Sequence, residues 1–252
     1  MVEPLLRLER VCKRFDGLLA VDNASFAVEA GRITALIGPN GAGKTTLFSI
    51  ISGFLTPSEG RIFHSGTEIT GMPAHLLARR GIVRTFQVAQ PFAGLSVHEN
   101  IAIGAHLSRR ARADALEAAA EVASAVGLGD LLGRAASSLT VAGRKRLELA
   151  RALAAGPELL LLDEVLAGLN PREVAAMVPV IRALAERGVT ILMIEHVMQA
   201  VMRLAEHVFV LAQGRIIAEG APQAVMDDAA VIEAYLGHGA AARLSAAGAA
   251  HV

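Results

Sequence analysis

The chain has 252 residues, a formal net charge of zero at pH 7 and a single cysteine, Cys12. That length suits one large α/β domain, or a core with a small subdomain. The balanced charge disfavours a nucleic-acid-binding surface, and one cysteine excludes an internal disulfide framework. Hydrophobic residues make up 53% of the chain, yet no stretch reaches the ~18–20 apolar residues of a membrane span, and no signal peptide is expected at the N-terminus.

The first predicted elements form a small antiparallel sheet and the start of an α/β core. Ala24, Phe26 and Val28 alternate with other residues, as in a strand with one buried face. The apolar, β-branched run 33–37 predicts a buried strand, and the apolar run 46–51 predicts a helix. Residues 61–64 then follow a turn and predict another strand of the antiparallel sheet.

The middle of the chain changes character. Ala-rich segments with few β-branched residues predict a helical subdomain at about residues 96–156, inserted between two parts of the core. The core resumes with the continuous apolar runs 159–162 and 189–194, which are typical of parallel strands buried on both faces. Between them, the sequence Asn-Pro-Arg-Glu at 170–173 predicts a helix start. We expect one domain over residues 1–238, followed by a mobile Ala-rich tail at 239–252.

Between the run 33–37 and the helix that follows lies GPNGAGKT, a full match to the phosphate-binding pattern G-x-x-x-x-G-K-[ST]. Its glycines let successive backbone N–H groups face phosphate oxygens. Lys44 supplies a positive charge for the β- and γ-phosphates, and the Thr45 hydroxyl can bind Mg²⁺. The sequence therefore predicts a nucleoside triphosphate site. Its predicted nucleotide-binding residues are Gly38, Pro39, Asn40, Gly41, Ala42, Gly43, Lys44, Thr45 and Thr46.

Polar side chains follow the two later apolar runs. Asp163 and Glu164 come after the first, at the carboxyl end of a predicted parallel strand, where α/β sheets bind ligands. Asp163 can hold Mg²⁺ through water, and Glu164 can orient or deprotonate an attacking water. His196 follows the second run and is a predicted γ-phosphate contact. Such residues are more often ordinary surface or core residues, so this interpretation depends on the phosphate loop.

The order and spacing of these motifs resemble the ATP-binding cassette (ABC) family over nearly the whole chain. The phosphate loop resembles its Walker A motif, LLLLDE at 159–164 its Walker B motif, Gln87 its Q-loop and His196 its H-loop. The resemblance implies an α/β, P-loop NTPase core of the ABC type, with an antiparallel β subdomain and an inserted helical subdomain. It also implies that Phe15 stacks on adenine, with Val21 beside it.

The resemblance implies that ATP and Mg²⁺ are the cofactors, and that ATP is hydrolysed to ADP and phosphate. The implied catalytic residues are Glu164, His196, Gln87 and Lys44. The implied metal ligands are Thr45, Gln87 and, through water, Asp163.

The signature motif is the largest departure from the family pattern. LTVAG at 139–143 takes the place of LSGGQ, whose hydroxyl and amides face the ATP bound by a second chain. Thr140 keeps a hydroxyl, but Val141 is β-branched where glycine allows close approach, and Gly143 lacks the glutamine amide. We expect Thr140 and Gly143 to contact the partner's nucleotide, and the basic residues 144–146 to add positive charge nearby. Smaller departures are Val165 for the usual proline and Asn170 for the D-loop aspartate.

Four segments resemble more narrowly the ATPase subunits of high-affinity branched-chain amino acid importers, at residues 14–21, 81–87, 167–171 and 232–237. This resemblance implies two membrane permease subunits, a second ABC ATPase subunit and, indirectly, an extracytoplasmic solute-binding protein. A heterodimer of ATPase subunits is favoured over a homodimer, and the implied location is the cytoplasmic face of the inner membrane. The loop 88–92 is expected to dock a permease, and the less favoured alternative is a loop that folds over its own core.

Other ABC functions remain open at this point. Importers of urea or other amino acids, exporters and lipid extractors share most of these motifs. A cassette ATPase acting on DNA or ribosomes is disfavoured by the single cassette, the zero net charge and the absence of heptads. An ATP-sensing module without a transport partner is disfavoured by Glu164 and His196.

Overall fold

The computed structural model describes residues 3–86 and 90–236, and these form two β-sheets and nine α-helices. The strands are β1 (Leu6–Phe15), β2 (Leu18–Val28), β3 (Ile33–Ile37), β4 (Glu59–His64), β5 (Thr67–Glu68), β6 (Ile82–Arg84), β7 (Leu159–Asp163), β8 (Thr190–Ile194), β9 (His207–Ala212) and β10 (Arg215–Gly220). The α-helices are α1 (Lys44–Ile51), α2 (Ala74–Arg79), α3 (Val97–Ala105), α4 (Arg112–Ala125), α5 (Val141–Ala154), α6 (Pro171–Glu186), α7 (Met198–Leu204), α8 (Pro222–Met226) and α9 (Ala229–Leu236).

The first sheet is antiparallel, with the strand order β2-β1-β4-β5. Ala24, Phe26 and Val28 are buried on one of its faces, which confirms the predicted alternation. This face shares one hydrophobic cluster with the apolar side chains of α1. The sheet is therefore packed against the helix that begins at the phosphate loop.

The second sheet has the order β10-β9-β3-β8-β7-β6, parallel except for β10 at its edge. Every residue of β3, β7 and β8 is buried, as the continuous apolar runs predict. The register pairs Ile194 with Leu36 on one side and with Asp163 on the other. The phosphate loop and the polar residues after β7 and β8 thus leave the sheet at the same edge.

The helical subdomain consists of α3, α4 and α5, which pack on one another. A capping box begins α3, in which Ser96 and Glu99 each bind the other's backbone N–H. The side chain of Thr140 begins α5 by accepting a hydrogen bond from the N–H of Gly143. The buried side chains of α4 are alanines, which let it pack closely against α3 and α5. The three helices share a hydrophobic cluster with one face of the parallel sheet. The expected Ala-rich tail lies outside the described residues.

Helix α6 begins as the sequence predicts. Asn170 is its N-cap and accepts from the N–H groups of Arg172 and Glu173, while Glu173 accepts from the N–H of Asn170. The asparagine that replaces the D-loop aspartate is therefore a complete helix cap. Among the described helices, none is both long and apolar enough to cross a bilayer.

Candidate functional site

The phosphate loop joins β3 to α1 and needs glycine at two close approaches. A Cβ atom at Gly38 would lie 1.9 Å from the carbonyl oxygen of Leu211, and one at Gly43 would lie 2.3 Å from that of Ala20. Both glycines also have positive φ angles, which side chains disfavour. Gly43 is the N-cap of α1, so the positive end of that helix faces the loop. This arrangement suits an anionic ligand.

A cavity of about 560 Å³ opens in front of the loop. Most of the predicted nucleotide-binding residues line it, together with Phe15 and Glu164. Its lining is Phe15, Leu18, Leu19, Ala20, Asn40, Gly41, Ala42, Gly43, Lys44, Thr45, Thr46, Glu164, Gln213 and Gly214. Pro39 and Gly38 lie in the loop but not in this lining, and Val21 is fully buried in β2. Leu18, Leu19 and Ala20, the residues of β2 that precede Val21, line the cavity in its place.

Lys44 is turned back onto its own loop. Its Nζ donates to the carbonyl oxygens of Gly38, at 2.7 Å, and Pro39, at 2.9 Å. Burial lowers the pKa of Lys44, and the negative charge of Glu164 opposes that shift. Phosphate oxygens in the cavity could replace the two carbonyl acceptors.

Asp163 and Arg84 form a buried ion pair beside the loop. Arg84 Nη2 lies 2.6 Å from Asp163 Oδ2, and the two side chains are only 8% and 4% exposed. Nη1 of the same guanidinium donates to the hydroxyls of Ser49 and Ser52 on α1. Thr45, Arg84 and Asp163 line a second cavity, of about 500 Å³. Arg84 is not among the residues predicted from the sequence, although its place at the end of the short apolar strand β6 was a signal for it.

Glu164 and His196 face each other across the edge of the sheet. Glu164 Oε1 lies 3.7 Å from His196 Nδ1, and Glu164 has a left-handed backbone with φ 49°. Its N–H donates to the carbonyl of Ile194, and Lys145 Nζ donates to its carbonyl at 3.1 Å. The backbone of Glu164 is thus held by both β8 and α5.

A second acidic residue, Glu195, lies beneath this pair and was not singled out from the sequence. Its side chain is buried, and Oε1 accepts from the N–H of Leu166 at 2.8 Å. Burial raises the pKa of Glu195 to about 7, and the charge of Glu164 adds to the shift. Hydrogen bonds from the backbones of Leu166 and His196 and the charge of Lys145 oppose it. Glu195 therefore ties the loop after β7 to the end of β8.

The helical subdomain also contacts the segment after β6. Glu148 on α5 accepts from the N–H of Phe86, and burial raises the pKa of this glutamate. Strand β6 ends at Arg84, two residues before this contact. The predicted Q-loop residue, Gln87, follows directly and lies outside the described residues, as does Val88.

The signature residues lie apart from the loop cavity. Thr140 and Gly143 begin α5 and are not among the residues that line that cavity. Val141 is 58% exposed at this helix start. That residues 144–146 add positive charge near this helix start stays a prediction. All three side chains donate to backbone carbonyls of their own chain. The acceptors are the carbonyls of Leu139 and Ser137 for Arg144, of Glu164 for Lys145, and of Val126 for Arg146.

Comparisons with known proteins agree with this geometry. The sequence model of the ABC transporter family matches residues 21–167, and that of the branched-chain amino acid ATP-binding cassette transporter matches residues 215–241. The chain is 39% identical to the high-affinity branched-chain amino acid transport ATP-binding protein BraF of Pseudomonas aeruginosa. It is also 39% identical to the high-affinity branched-chain amino acid transport ATP-binding protein LivG of Escherichia coli. Each match covers 94% of this chain and 99% of the relative.

Solved structures show the same fold. A nucleotide-free ATP-binding cassette from an ABC transporter superimposes with a TM-score of 0.86 at 33% identity, over 94% of this chain and all of that one. The ADP conformation of the cassette MJ1267 gives the same values. The predicted fold class is therefore confirmed.

Proposed function

The chain belongs to the ATP-binding cassette transporter family and is an ATPase subunit, and from that premise we propose that it powers an importer of branched-chain amino acids. One observation carries the choice of substrate. The similarity to BraF and LivG runs through 94% of the chain and includes a C-terminal segment, 215–241, that matches a model specific to branched-chain amino acid transporters.

The site residues divide the chemistry of hydrolysis between them. We propose that the Lys44 ammonium leaves the carbonyls of Gly38 and Pro39 and binds the β- and γ-phosphates. Glu164 takes a proton from the attacking water, whose oxygen bonds to the γ-phosphorus while the bond to the β–γ bridging oxygen breaks. His196, beside Glu164, contacts the γ-phosphate. ADP and inorganic phosphate are the products.

The residues beside the loop fit Mg²⁺. The Thr45 hydroxyl and the Asp163 carboxylate line one cavity, and both are hard oxygen donors of the kind that Mg²⁺ prefers. Since Arg84 already binds Oδ2 of Asp163, we propose that this carboxylate reaches the ion through water. The ion would neutralise charge on the phosphates. Gln87 stays a predicted ligand outside the described residues.

Phe15 is placed to hold the base of the nucleotide. Its ring is partly exposed at the rim of the loop cavity, and Lys13 Nζ lies 5.1 Å from the ring centroid. A flat, exposed aromatic ring at this position can stack on adenine. This supports the stacking role proposed for Phe15.

The signature suggests a second ATPase chain. Because Thr140 and Gly143 lie away from their own chain's loop cavity, we propose that they contact ATP held by a partner in a head-to-tail dimer. Helix α5 would direct its positive N-terminal end toward that ATP. The replacement of LSGGQ by LTVAG favours a heterodimer with a partner that carries the regular motif.

An aromatic surface suits the membrane subunits. Phe54, Phe86 and Phe92 are each about half exposed, and the first two rings pack edge to face at 5.5 Å. A groove beside Phe86 is lined by Ile103 and Leu107 of the helical subdomain. We propose that one of the two permease subunits docks here and holds the chain on the cytoplasmic face of the membrane, with an extracytoplasmic binding protein delivering solute.

Uptake by the reconstituted complex tests this function. The chain, its membrane subunits and its partner ATPase would be placed in liposomes with internal ATP and external binding protein. Labelled leucine, isoleucine and valine should accumulate, and a complex carrying Glu164→Gln should accumulate none. Uptake of urea in preference to these amino acids would contradict the proposed substrate class.

A further inference from the structure

Lys145 is a buried lysine on α5 whose side chain reaches out of the helical subdomain. The residue is only 7% exposed. Its neighbours Arg144 and Arg146 donate to carbonyls within the helical subdomain itself. Lys145 Nζ instead donates at 3.1 Å to the carbonyl of Glu164, which is 19 residues away and follows β7 of the parallel sheet. A lysine is almost never buried without partners for its ammonium group, and here one partner is the backbone of the proposed base.

The backbone of Glu164 has a costly conformation that its surroundings hold in place. Its φ of 49° lies in the left-handed region, which is unfavourable for a residue with a Cβ. Its N–H donates to the carbonyl of Ile194 at 3.0 Å, and its carbonyl accepts from the N–H of Ala167 at 3.1 Å as well as from Lys145. Because the two planar peptide groups of Glu164 are both held, its φ and ψ are fixed, and so is the direction of its side chain.

That direction decides whether the carboxylate can act as a base. Glu164 Oε1 lies 3.7 Å from His196 Nδ1, and the residue lines the loop cavity together with Lys44 and Thr45. A general base must come within about 2.6–3.2 Å of the group from which it takes a proton. A displacement of about 1 Å can lower the rate roughly 10²-fold. The contacts that hold the Glu164 backbone therefore bear on hydrolysis.

Two carboxylates share the surroundings of the Lys145 ammonium. They belong to Glu148, on α5, and Glu195, after β8. Burial raises the pKa of both groups, and the positive charge of Lys145 opposes the shift in each. Lys145 and Glu148 are three residues apart and share one face of the helix. Since Glu148 accepts from the N–H of Phe86, this face contacts the backbone after β6 as well as the backbone after β7.

We propose that Lys145 is a positioning residue for hydrolysis, whose hydrogen bond to the Glu164 carbonyl fixes the direction of the proposed base. The inference rests on the proposed function and adds the helical subdomain to the hydrolytic site of its own chain. Lys145 is not among the described residues that line the loop cavity. Its loss should therefore slow hydrolysis without weakening the binding of ATP.

The variant Lys145→Met tests this separation in the assembled complex with its partner ATPase and membrane subunits. It replaces the ammonium by an apolar side chain of similar length. The kcat for ATP hydrolysis should fall about 10- to 100-fold, while the dissociation constant for ATP stays at the parental value. Lys145→Arg keeps a cationic donor and should restore most of the turnover. A merely structural role would lower binding and turnover together.

Two further variants serve as a control and a second test. Arg182 also donates to a backbone carbonyl, that of Arg203, but it is exposed and far along the chain from the site. Arg182→Met should hydrolyse ATP at the parental rate. If methionine at position 145 prevents folding, Lys145→Gln gives the same test, because its amide is polar but too short to keep the contact with Glu164. It should show the same loss of kcat.

A double variant separates this role from an effect of the Lys145 charge on ATP held by the partner. If Lys145 acts through Glu164, adding Lys145→Met to Glu164→Gln should cause no further loss of turnover. An equal fold-loss in the two backgrounds would overturn the inference, as would parental kcat in the single Lys145 variants. A low rate with Glu164→Gln alone would leave the proposed function intact in either case. Parental hydrolysis with Glu164→Gln would instead contradict the proposed function itself.

Discussion

Arg84 shows how much of the site depends on one side chain. Its guanidinium binds Asp163 after β7 and the hydroxyls of Ser49 and Ser52 on α1. It therefore joins the phosphate-loop helix to the strand that ends at Asp163, next to the proposed base Glu164. Three phenylalanine rings also lie within 6.0 Å of its guanidinium carbon. A charge in such surroundings is stable only while its partner is present.

Replacing Arg84 should therefore be costly. Arg84→Met keeps much of the side-chain volume but leaves Asp163 buried without its counter-charge, which should lower the free energy of unfolding by about 3–5 kcal/mol. Arg32→Met is the matched control, since Arg32 pairs with Glu29 at 2.9 Å and the two side chains are 53% and 64% exposed. That exposed pair should contribute only about 0–1 kcal/mol. Urea unfolding of both variants measures the difference, and equal losses would refute this account of Arg84.

Glu195 predicts a pH dependence of stability. Its native pKa of about 7 lies above the ordinary 4.5, so the folded state keeps a proton that the unfolded state releases. The free energy of unfolding should therefore fall as pH rises from 4.5 to 7, by about 3 kcal/mol, and level off above 7. Glu195→Gln cannot ionise and keeps an acceptor for the N–H of Leu166. Relative to the parent, it should gain stability between pH 5 and pH 8 in urea titrations.

Other carboxylates also titrate in this range, so the comparison needs a control. Glu186→Gln, at the exposed end of α6, should show the same pH dependence as the parent. If Glu195→Gln behaved like this control, the buried carboxylate would not be the source of the effect.

At the scale of single residues, the sequence predicts a site residue when its role depends on neighbours in the chain. The phosphate loop is recognisable from sequence because close backbone approaches require its glycines, and binding of phosphate requires its lysine. Arg84 and Glu195 gain their roles from partners 79 and 29 residues away. In the sequence each is one charged residue beside an apolar run, and only the sheet register brings it to its partner.

Among the elements, α5 shows how helical geometry separates three basic residues that are adjacent in sequence. Residues 144–146 are basic and adjacent in sequence, but successive helical residues point in different directions, and each side chain found a separate backbone acceptor. These hydrogen bonds hold the helix to its own chain. Arg144 stays beside the start of α5, because its acceptors are the carbonyls of Leu139 and Ser137. Lys145 and Arg146 bind carbonyls of Glu164 and Val126 instead.

Restoring the regular signature tests that helix start. Ser, Gly, Gly and Gln at positions 140–143 would remove the exposed Val141 side chain and return the glutamine amide. ATP turnover by the assembled complex should rise, since one misplaced donor in a charge-stabilising site costs about 2.7–4 kcal/mol. A complex with an unchanged rate would show that LTVAG already presents its backbone competently, and the case for unequal sites would fail. Nucleotide binding by this chain's own loop serves as the internal control.

The longer elements could be predicted because their side chains are either all buried or buried at a regular spacing along the sequence. Continuous apolar runs gave β3, β7 and β8, and a cap sequence gave the first residue of α6. The short β5, α2 and α8 have no comparable pattern, since two to six residues cannot establish a period. Their positions depend on the longer elements around them.

For the whole molecule, function follows from what meets at one edge of the parallel sheet. The phosphate loop after β3, the acids after β7 and His196 after β8 arrive there from distant parts of the sequence. The helical subdomain reaches the same edge through Lys145 and Glu148. Our central claim is that this edge binds ATP through Lys44 and hydrolyses it with Glu164 as the base.

One paired measurement tests that claim most directly: ATP binding and ATP hydrolysis by the assembled complex carrying Lys44→Ala or Glu164→Gln. Lys44→Ala should weaken binding, because it removes the charge that holds the phosphates. Glu164→Gln should bind ATP as the parent does, but lower the hydrolysis rate about 10²- to 10⁴-fold, because the base is lost. Hydrolysis at the parental rate by the complex with Glu164→Gln would contradict the account.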